Sequence, residues 1–301
     1  MSSVHNAPRA LVTGLRGFTG YYLAQELRAT GYEVFGTAHG NEAAGAGVVT
    51  VDLCNREELG RVVADIRPDF VAHLAAISFV AHGDVDAIFR TNVVGTRNLL
   101  EALAALAQRP RAVLLASSAN IYGNAAVELI DETVSPLPAN DYAVSKLAME
   151  YMAGLWMDRL PIVITRPFNY TGVGQGAQFL LPKIVGHFQR GEPVIELGNI
   201  DVERDFSDVR MVARVYAALL AKAPAGEIFN VCSGKAYSLK DALAMMAEIA
   251  GYEIEVRVNP AFVRGNEVKR LQGDAGKLRR VIGDLEAIPL RDTLRWMYTN
   301  A

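Results

Sequence analysis

Residues 13–20 read Thr-Gly-Leu-Arg-Gly-Phe-Thr-Gly, and the reading of this stretch decides the fold. The apolar run Ala10–Val12 precedes it, and an amphipathic run, Tyr21–Thr30, follows it. A short strand, a tight turn and a helix are expected in that order. Gly14, Gly17 and Gly20 suit a turn whose backbone amides approach a pyrophosphate with no Cβ in the way, and the N-terminus of the following helix adds partial positive charge. The spacing is G-x-x-G-x-x-G, not G-x-G-x-x-G. An ordinary glycine-rich turn is the alternative, but the position after the first strand of a strand–helix series argues for a dinucleotide.

Outward from the turn the series continues. Ala10–Val12, Glu33–Gly36, Gly47–Val51, Phe70–Ala75, Ala112–Ala116 and Ile162–Thr165 read as strands buried on both faces. Tyr21–Thr30, Arg56–Arg67, Ala87–Leu106 and Tyr142–Met157 carry apolar residues three and four apart and read as helices. The alternation predicts an α/β chain: a doubly wound parallel sheet of the Rossmann type with a smaller α/β C-terminal lobe. The texture changes after Pro167. The expected division is a dinucleotide-binding domain of residues 1–168 plus an interleaved 200–234, and a substrate lobe of 169–199 and 235–301.

Composition narrows the class. The chain has 301 residues, 51% of them apolar, enough for a large core. Thirty Lys+Arg against 33 Asp+Glu leave a net charge of −3, which excludes a strongly basic nucleic-acid binder. No apolar run reaches the roughly 18 residues of a membrane span, and the polar start argues against a secretory signal. Cys54 and Cys232 are too few for a disulfide scaffold, which suits a cytoplasmic protein. The histidines lack metal-ligand spacing, so no metal is expected.

The second strand ends Phe35-Gly36-Thr37-Ala38-His39, without the carboxylate that reads an NAD ribose. Arg16 and His39 can meet a 2′-phosphate instead, so NADP(H) is favoured over NAD(H). Arg16 as a solvated loop arginine is the alternative. Tyr142 and Lys146 lie four apart and share a helix face. Such pairs are often surface contacts. Here Lys146 is the first lysine in a chain with 23 Arg and 7 Lys, which suggests a position that needs a compact ammonium. A tyrosine with a reference pKa of about 10 becomes a usable acid near neutrality beside an ammonium. Ser117-Ser118-Ala119-Asn120-Ile121-Tyr122-Gly123 follows a strand and can place a hydroxyl on the same carbonyl oxygen, or can simply form a turn.

These segments, with Asp52-Leu53, His73-Leu74-Ala75-Ala76, Asn92 to Thr96 and Arg166-Pro-Phe-Asn169, resemble the extended short-chain dehydrogenase/reductases over nearly the whole chain. The resemblance implies a nucleotide-sugar enzyme. It implies Ser118, Tyr142 and Lys146 as catalytic residues, with Lys146 also on the nicotinamide ribose. It implies Gly14, Arg16, Gly17, Phe18, Gly20, His39, Asp52, Leu53, Ala75 and Asn92, together with Tyr142 and Lys146, around the cofactor. On the substrate it implies Ser78, Ser118, Asn169, Arg204, Arg264 and Glu267. The last two match an Arg-Pro-x-Asp element that here reads Arg264-Gly-Asn-Glu267. For each arginine the alternative is a surface ion pair worth about 0–1 kcal/mol. His73 is expected to be a structural strand-end residue. Met149, Met152 and Trp156 are expected to pack, and the resemblance implies a homodimer through a four-helix bundle.

Dehydration needs an acid and a base after the catalytic hydroxyl, and those positions are Ala119 and Asn120. Reduction and 4-epimerisation remain. Gly198 to Phe206 and Asn230 to Gly234 are similar to the GDP-6-deoxy-D-mannose reductases of that family. The expectation is NADPH-dependent reduction of a GDP-linked 4-keto-6-deoxyhexose, GDP-4-keto-6-deoxy-D-mannose to GDP-D-rhamnose. The alternatives are a 4-epimerase holding NAD and a non-catalytic NADP(H)-binding protein.

Overall fold

The computed structural model describes residues 7–40, 45–78, 83–263 and 268–300. Its strands are β1 (Arg9–Thr13), β2 (Glu33–Ala38), β3 (Val48–Thr50), β4 (Phe70–His73), β5 (Ala112–Ala116), β6 (Ile162–Pro167), β7 (Asn169–Thr171), β8 (Val194–Leu197), β9 (Glu203–Asp208), β10 (Ile228–Val231), β11 (Ala236–Ser238), β12 (Glu255–Val258) and β13 (Arg270–Leu271). Its α-helices are α1 (Phe18–Ala29), α2 (Arg56–Ile66), α3 (Val85–Phe89), α4 (Thr96–Ala104), α5 (Asp141–Gly154), α6 (Leu180–Gln189), α7 (Val209–Lys222), α8 (Leu239–Ala250), α9 (Gly276–Ile282) and α10 (Leu290–Thr299).

Seven strands form one sheet in the order β10-β6-β5-β4-β1-β2-β3. The pairs around β1 are parallel, with Ala10 opposite Val34 on one side and Phe70 on the other. The chain leaves β1 for β2 and β3 on one flank, then starts again at β4 on the other. Such a switch point is where doubly wound sheets open a crevice at the strands' carboxyl ends. The strands are apolar because helices cover both faces. Leu11, Val71, Val113, Leu115 and Ile164 of the sheet share a core with Leu59, Val63, Leu99, Leu100 and Met149 of the helices. Two of the helices start where the sequence supplies side-chain caps. Asn55 accepts the Glu58 amide at α2, and Asn140 accepts the Ala143 amide at 2.9 Å at α5.

The helix expected over Ala87–Leu106 is interrupted. A π-helical turn, Arg90–Gly95, separates α3 from α4. Its cause lies in Asn92, whose side chain is drawn to the Ile77 backbone, and in Thr96, whose hydroxyl donates to Asn92 O at 2.7 Å. Such insertions are frequent at functional sites.

The described residues form two compact units. The first runs to Ile121 and adds Asn140–Arg166 and Ala213–Phe229. The second takes Tyr122–Ala139, Pro167–Val212 and the chain from Asn230 onward. This differs from the division expected from sequence at two places. Residues 122–139 belong to the second unit because the Ile130 amide donates to Gln272 O and its carbonyl accepts the Asp274 amide, at 2.9 and 2.8 Å. Of 200–234, only 213–229 joins the first unit, where the chain closes the sheet beside β6. There Gly226 N donates to Ile162 O and Ile164 N to Glu227 O.

The second unit centres on β9, paired with β7, β11 and β13, and has a separate parallel pair, β8 with β12. Helices α6, α8 and α10 bury Ile184, Phe188, Met246 and Leu294 in its own core. Helix α6 tolerates Pro182 because the residue stands in the first turn. Among the described residues no helix is long and apolar enough to cross a membrane.

Candidate active site

The glycine turn is a backbone-to-backbone contact. Gly14 has φ +67°, and a Cβ there would stand 3.0 Å from Ala75 Cα, in the segment after β4. A Cβ on Gly20 would stand 2.2 Å from Gly14 O, so α1 can lie on the turn only if that residue is glycine. Gly17 N donates to Gly14 O at 2.9 Å and Gly17 caps α1 without a side chain. The helix N-terminus with Phe18 therefore follows bare backbone. Backbone of this kind at a helix N-terminus suits a diphosphate, and a side chain at Gly14 or Gly20 would collide with Ala75 or with the turn itself.

Beyond β2 the chain runs through Ala38 to an exposed His39. Arg16 is exposed too, and its Nη2 lies 3.3 Å from where a Cβ on Gly45 would be, so the guanidinium reaches the segment beyond β2. Asp52 is exposed and caps the Cys54 amide at 2.8 Å. Leu53 is buried, its carbonyl accepting Asn98 Nδ2 at 3.0 Å.

One hydrogen-bond chain joins these parts. Thr13 Oγ1 accepts the Leu74 and Ala75 amides, each at 3.2 Å, so its own proton goes to His73 Nδ1, 2.7 Å away. Thr96 gives its proton to Asn92 O, so it accepts from His73 Nε2 at 2.8 Å. His73 is thus a neutral imidazole with Nε2 protonated. Burial holds its pKa down to about 3, and the nearby Lys146 charge adds to that. Asn92 Oδ1 accepts the Ile77 amide at 2.9 Å, while Nδ2 donates to Ile77 O and to Ser145 Oγ. Ser145 Oγ in turn donates to Tyr142 O at 2.7 Å.

Helix α5 carries the titratable pair. Tyr142 and Lys146 are both buried, with Nζ 6.0 Å from the phenol ring centroid. Lys146 Nζ donates to Ala116 O at 2.8 Å. Burial pulls its pKa down to about 8, against the opposing pull of Glu150. Ser118 is buried two residues beyond Ala116, and its Oγ accepts the Asn120 amide at 3.2 Å. The end of β5 thereby anchors the lysine and presents the serine. A buried ion pair, Arg166 with Glu150 at 3.0 and 2.7 Å, lies one turn beyond Lys146. The sequence reading passed over this pair, Ser145 and the Thr13 hydroxyl. The signal for Thr13 was its place at the end of β1, directly before Gly14.

Ser78 is exposed, next to the clamped Ile77. In the second unit Asn169 is exposed on β7, opposite Phe206 of β9. Arg204 Nη1 donates to Glu203 O at 2.9 Å and Lys269 O at 3.3 Å. Phe79, expected with Ser78 to line the hexose pocket, lies outside the described residues, as do Arg264 and Glu267. Met149, Met152 and Trp156 pack into the core of the first unit.

The model of the NAD dependent epimerase/dehydratase family matches residues 10–232. The chain belongs to this family. It is thereby an NAD(P)-dependent oxidoreductase of the extended short-chain type. It is similar to the GDP-6-deoxy-D-talose 4-dehydrogenase of Aggregatibacter actinomycetemcomitans, 35% identical over 97% of each chain. It is also similar to the GDP-6-deoxy-D-mannose reductase of Pseudomonas aeruginosa, 34% identical over 95% of each. Two solved structures share the fold. One is a candidate epimerase from Burkholderia cenocepacia J2315, 57% identical over 97% of each chain, TM-score 0.92. The other is RMD from Pseudomonas aeruginosa complexed with NADPH, 32% identical over 98% of this chain and 97% of that one, TM-score 0.84.

The neutral His73 has a measurable consequence. Its native pKa of about 3 lies below the ordinary 6.5, so the unfolded chain binds the proton that the native imidazole refuses. Its contribution is complete above pH 6.5 and is lost as pH falls towards 3. Between pH 6.5 and 4.5 the loss is about 2–3 kcal/mol. By urea unfolding, His73→Gln should lose less stability than the wild type between these two pH values, by about that amount. Equal losses would refute the neutral assignment.

Proposed function

We propose that the chain catalyses NADPH-dependent reduction of the 4-keto group of a GDP-linked 6-deoxyhexose, taking GDP-4-keto-6-deoxy-D-mannose to GDP-D-rhamnose. The observation that carries this reading is one proton-donor set with no second proton carrier among the described residues directly after Ser118. Ser118, Tyr142 and Lys146 gather around the end of β5 and the start of α5, while the positions after Ser118 are Ala119 and Asn120. That set can serve one carbonyl. It cannot eliminate water across two carbons. The two GDP-6-deoxyhexose relatives support the substrate class, and the NADPH complex of RMD supports the cofactor.

In this reading the turn at Gly14, Gly17 and Gly20 and the N-terminus of α1 hold the cofactor pyrophosphate. Arg16 and His39 receive the 2′-phosphate. Asp52, Leu53 and Ala75 border the adenine side, and Asn92 fixes the backbone between Ala75 and Ser78. The cofactor, when bound, supplies the hydride. Tyr142 gives its proton to the oxygen as alkoxide character develops. The Lys146 ammonium favours the phenolate left behind, and Ser118 Oγ steadies the oxygen. Asn169 and Arg204 are assigned to the substrate diphosphate, where a guanidinium offers a fork to two oxygens.

A 4-epimerase with tightly held NAD is the second reading, favoured by the likeness to the Burkholderia structure. NADPH absorbance, followed with GDP-4-keto-6-deoxymannose made in situ by a separate dehydratase, separates the two. Stoichiometric loss of NADPH and a rhamno-configured C4 proton by NMR support the reductase. A talo-configured product would refute the stated stereochemistry. Hexose interconversion without net cofactor consumption would establish the epimerase. Tyr142→Phe should lower kcat about 10²–10⁴-fold with KM within a few-fold of wild type. Wild-type turnover would remove Tyr142 from the mechanism.

The preference for NADPH is tested separately. Arg16→Ala should raise KM for NADPH about ten- to a hundredfold and leave KM for NADH nearly unchanged. Parallel changes for both cofactors would refute the contact with the 2′-phosphate.

We also propose a homodimer. Val144 and Tyr151 of α5 and Leu155, the residue that follows it, are exposed at 40%, 73% and 76%, and Val94 of the π-helical turn is exposed at 46%. Their spacing of seven and four suits helix pairing. Light scattering should give a dimer that Tyr151→Glu with Leu155→Glu breaks into monomers. A monomeric wild type would refute it.

A further inference from the structure

We infer that Glu150, held in place by Arg166, is a positioning residue that keeps Lys146 cationic. The inference rests on the role proposed above for Lys146. Tyr142, Lys146 and Glu150 stand at successive intervals of four on α5 and share one face. All three are buried, as is Arg166 at the end of β6. Arg166 binds Glu150 through two nearly parallel bonds, Nε to Oε1 at 3.0 Å and Nη2 to Oε2 at 2.7 Å. This fork fixes the carboxylate one helical turn from the lysine.

The charge balance makes the pair functional as well as structural. Two buried cations, Lys146 and Arg166, flank one buried anion. His73, from β4, adds no charge because it is neutral. From β5 only the Ala116 carbonyl meets the ammonium. Helices α3 and α4 and the π-helical turn also pack on α5. Their charged groups face outward: Asp86 and Arg90 are exposed, and Arg97 pairs with Glu101 at 3.2 Å. The carboxylate that offsets the burial of Lys146 is therefore that of Glu150, and the value of about 8 for the lysine includes its help.

Opposite signs follow from the two halves of the pair. Glu150→Gln removes the anion and leaves Arg166 as an unopposed like charge, so Lys146 should lose its proton at lower pH. Arg166→Gln removes the like charge and leaves Glu150 facing the lysine, so Lys146 should hold its proton to higher pH. Nitrogen-15 NMR of the lysine ammonium in the full chain, with Lys146→Arg to assign the signal, reads this directly. A shift of about one pH unit or more is expected for each variant, downward for Glu150→Gln and upward for Arg166→Gln. The alkaline limb of the kcat profile for ketone reduction should move the same way, with KM for NADPH unchanged. Unmoved titrations, or shifts of the same sign, overturn the inference. If Glu150→Gln does not fold, the sign for Arg166→Gln decides alone. If the lysine shifts as expected but no keto-sugar is reduced, the inference about Glu150 stands and the proposed reaction falls.

Discussion

The first unit depends on a contact in which two stretches of bare backbone touch. Gly14 meets Ala75 at the point where the sheet changes direction, and Gly20 lets α1 press on the same turn. A methyl group at Gly14 would drive the ends of β1 and β4 apart, and one at Gly20 would lift α1 off the turn. The Thr13 hydroxyl then ties the segment after β4 to the end of β1 by accepting two of its amides. The glycines allow the approach and the threonine fixes it. Closely packed backbone at a helix N-terminus is the arrangement that suits a diphosphate.

The same economy of side chains explains the interrupted helix before α4. Asn92 spends its whole amide on Ile77 and Ser145. An unbroken α-helix would place that amide elsewhere on the surface of the helix. The π-helical turn is the local distortion that lets one residue hold the segment after β4 and α5 together. His73 completes the connection only because it is neutral. A charged imidazole would have two donors, and Thr13, which already accepts two amides, could not then give its proton to Nδ1.

What was legible in the sequence was local. The glycine spacing, the Tyr–Lys interval and the apolar strands all declare themselves within about twenty residues, and the sheet and the buried pair on α5 follow from them. The features that escaped join distant residues. Glu150 and Arg166 are sixteen apart and read as ordinary surface charges until the fold buries them together. Asn92 and Ile77 are fifteen apart, so no helix periodicity reports their bond. In the stretch Arg204-Asp205 the resemblance points to the arginine. The strand's period of two sends the neighbour to the other face. There Asp205, fully buried, accepts the Ser233 and Gly234 amides and the Ser233 hydroxyl. Its own burial pushes that carboxyl up while these bonds hold it down. The helix α6 escaped because Pro182 reads as a breaker unless the start of the helix is known.

Chemistry in the first unit is bounded by charge as much as by shape. A carbonyl reduced by hydride needs one proton at one oxygen, and a phenol beside a buried ammonium can deliver it near neutral pH. A dehydration needs two further proton movements, and the residues after Ser118 offer a methyl and an amide. Burial makes the ammonium costly, and the cost is what makes it sensitive to its neighbours. A solvated lysine would hold its proton whatever stood beside it. A lysine with a pKa near 8 stands close enough to neutrality for one carboxylate, one helical turn away, to decide its charge. In that reading the ion pair of Glu150 and Arg166 acts on the charge of the lysine, although the segments that contain them, Tyr142–Met157 and Arg166–Asn169, gave neither residue a role.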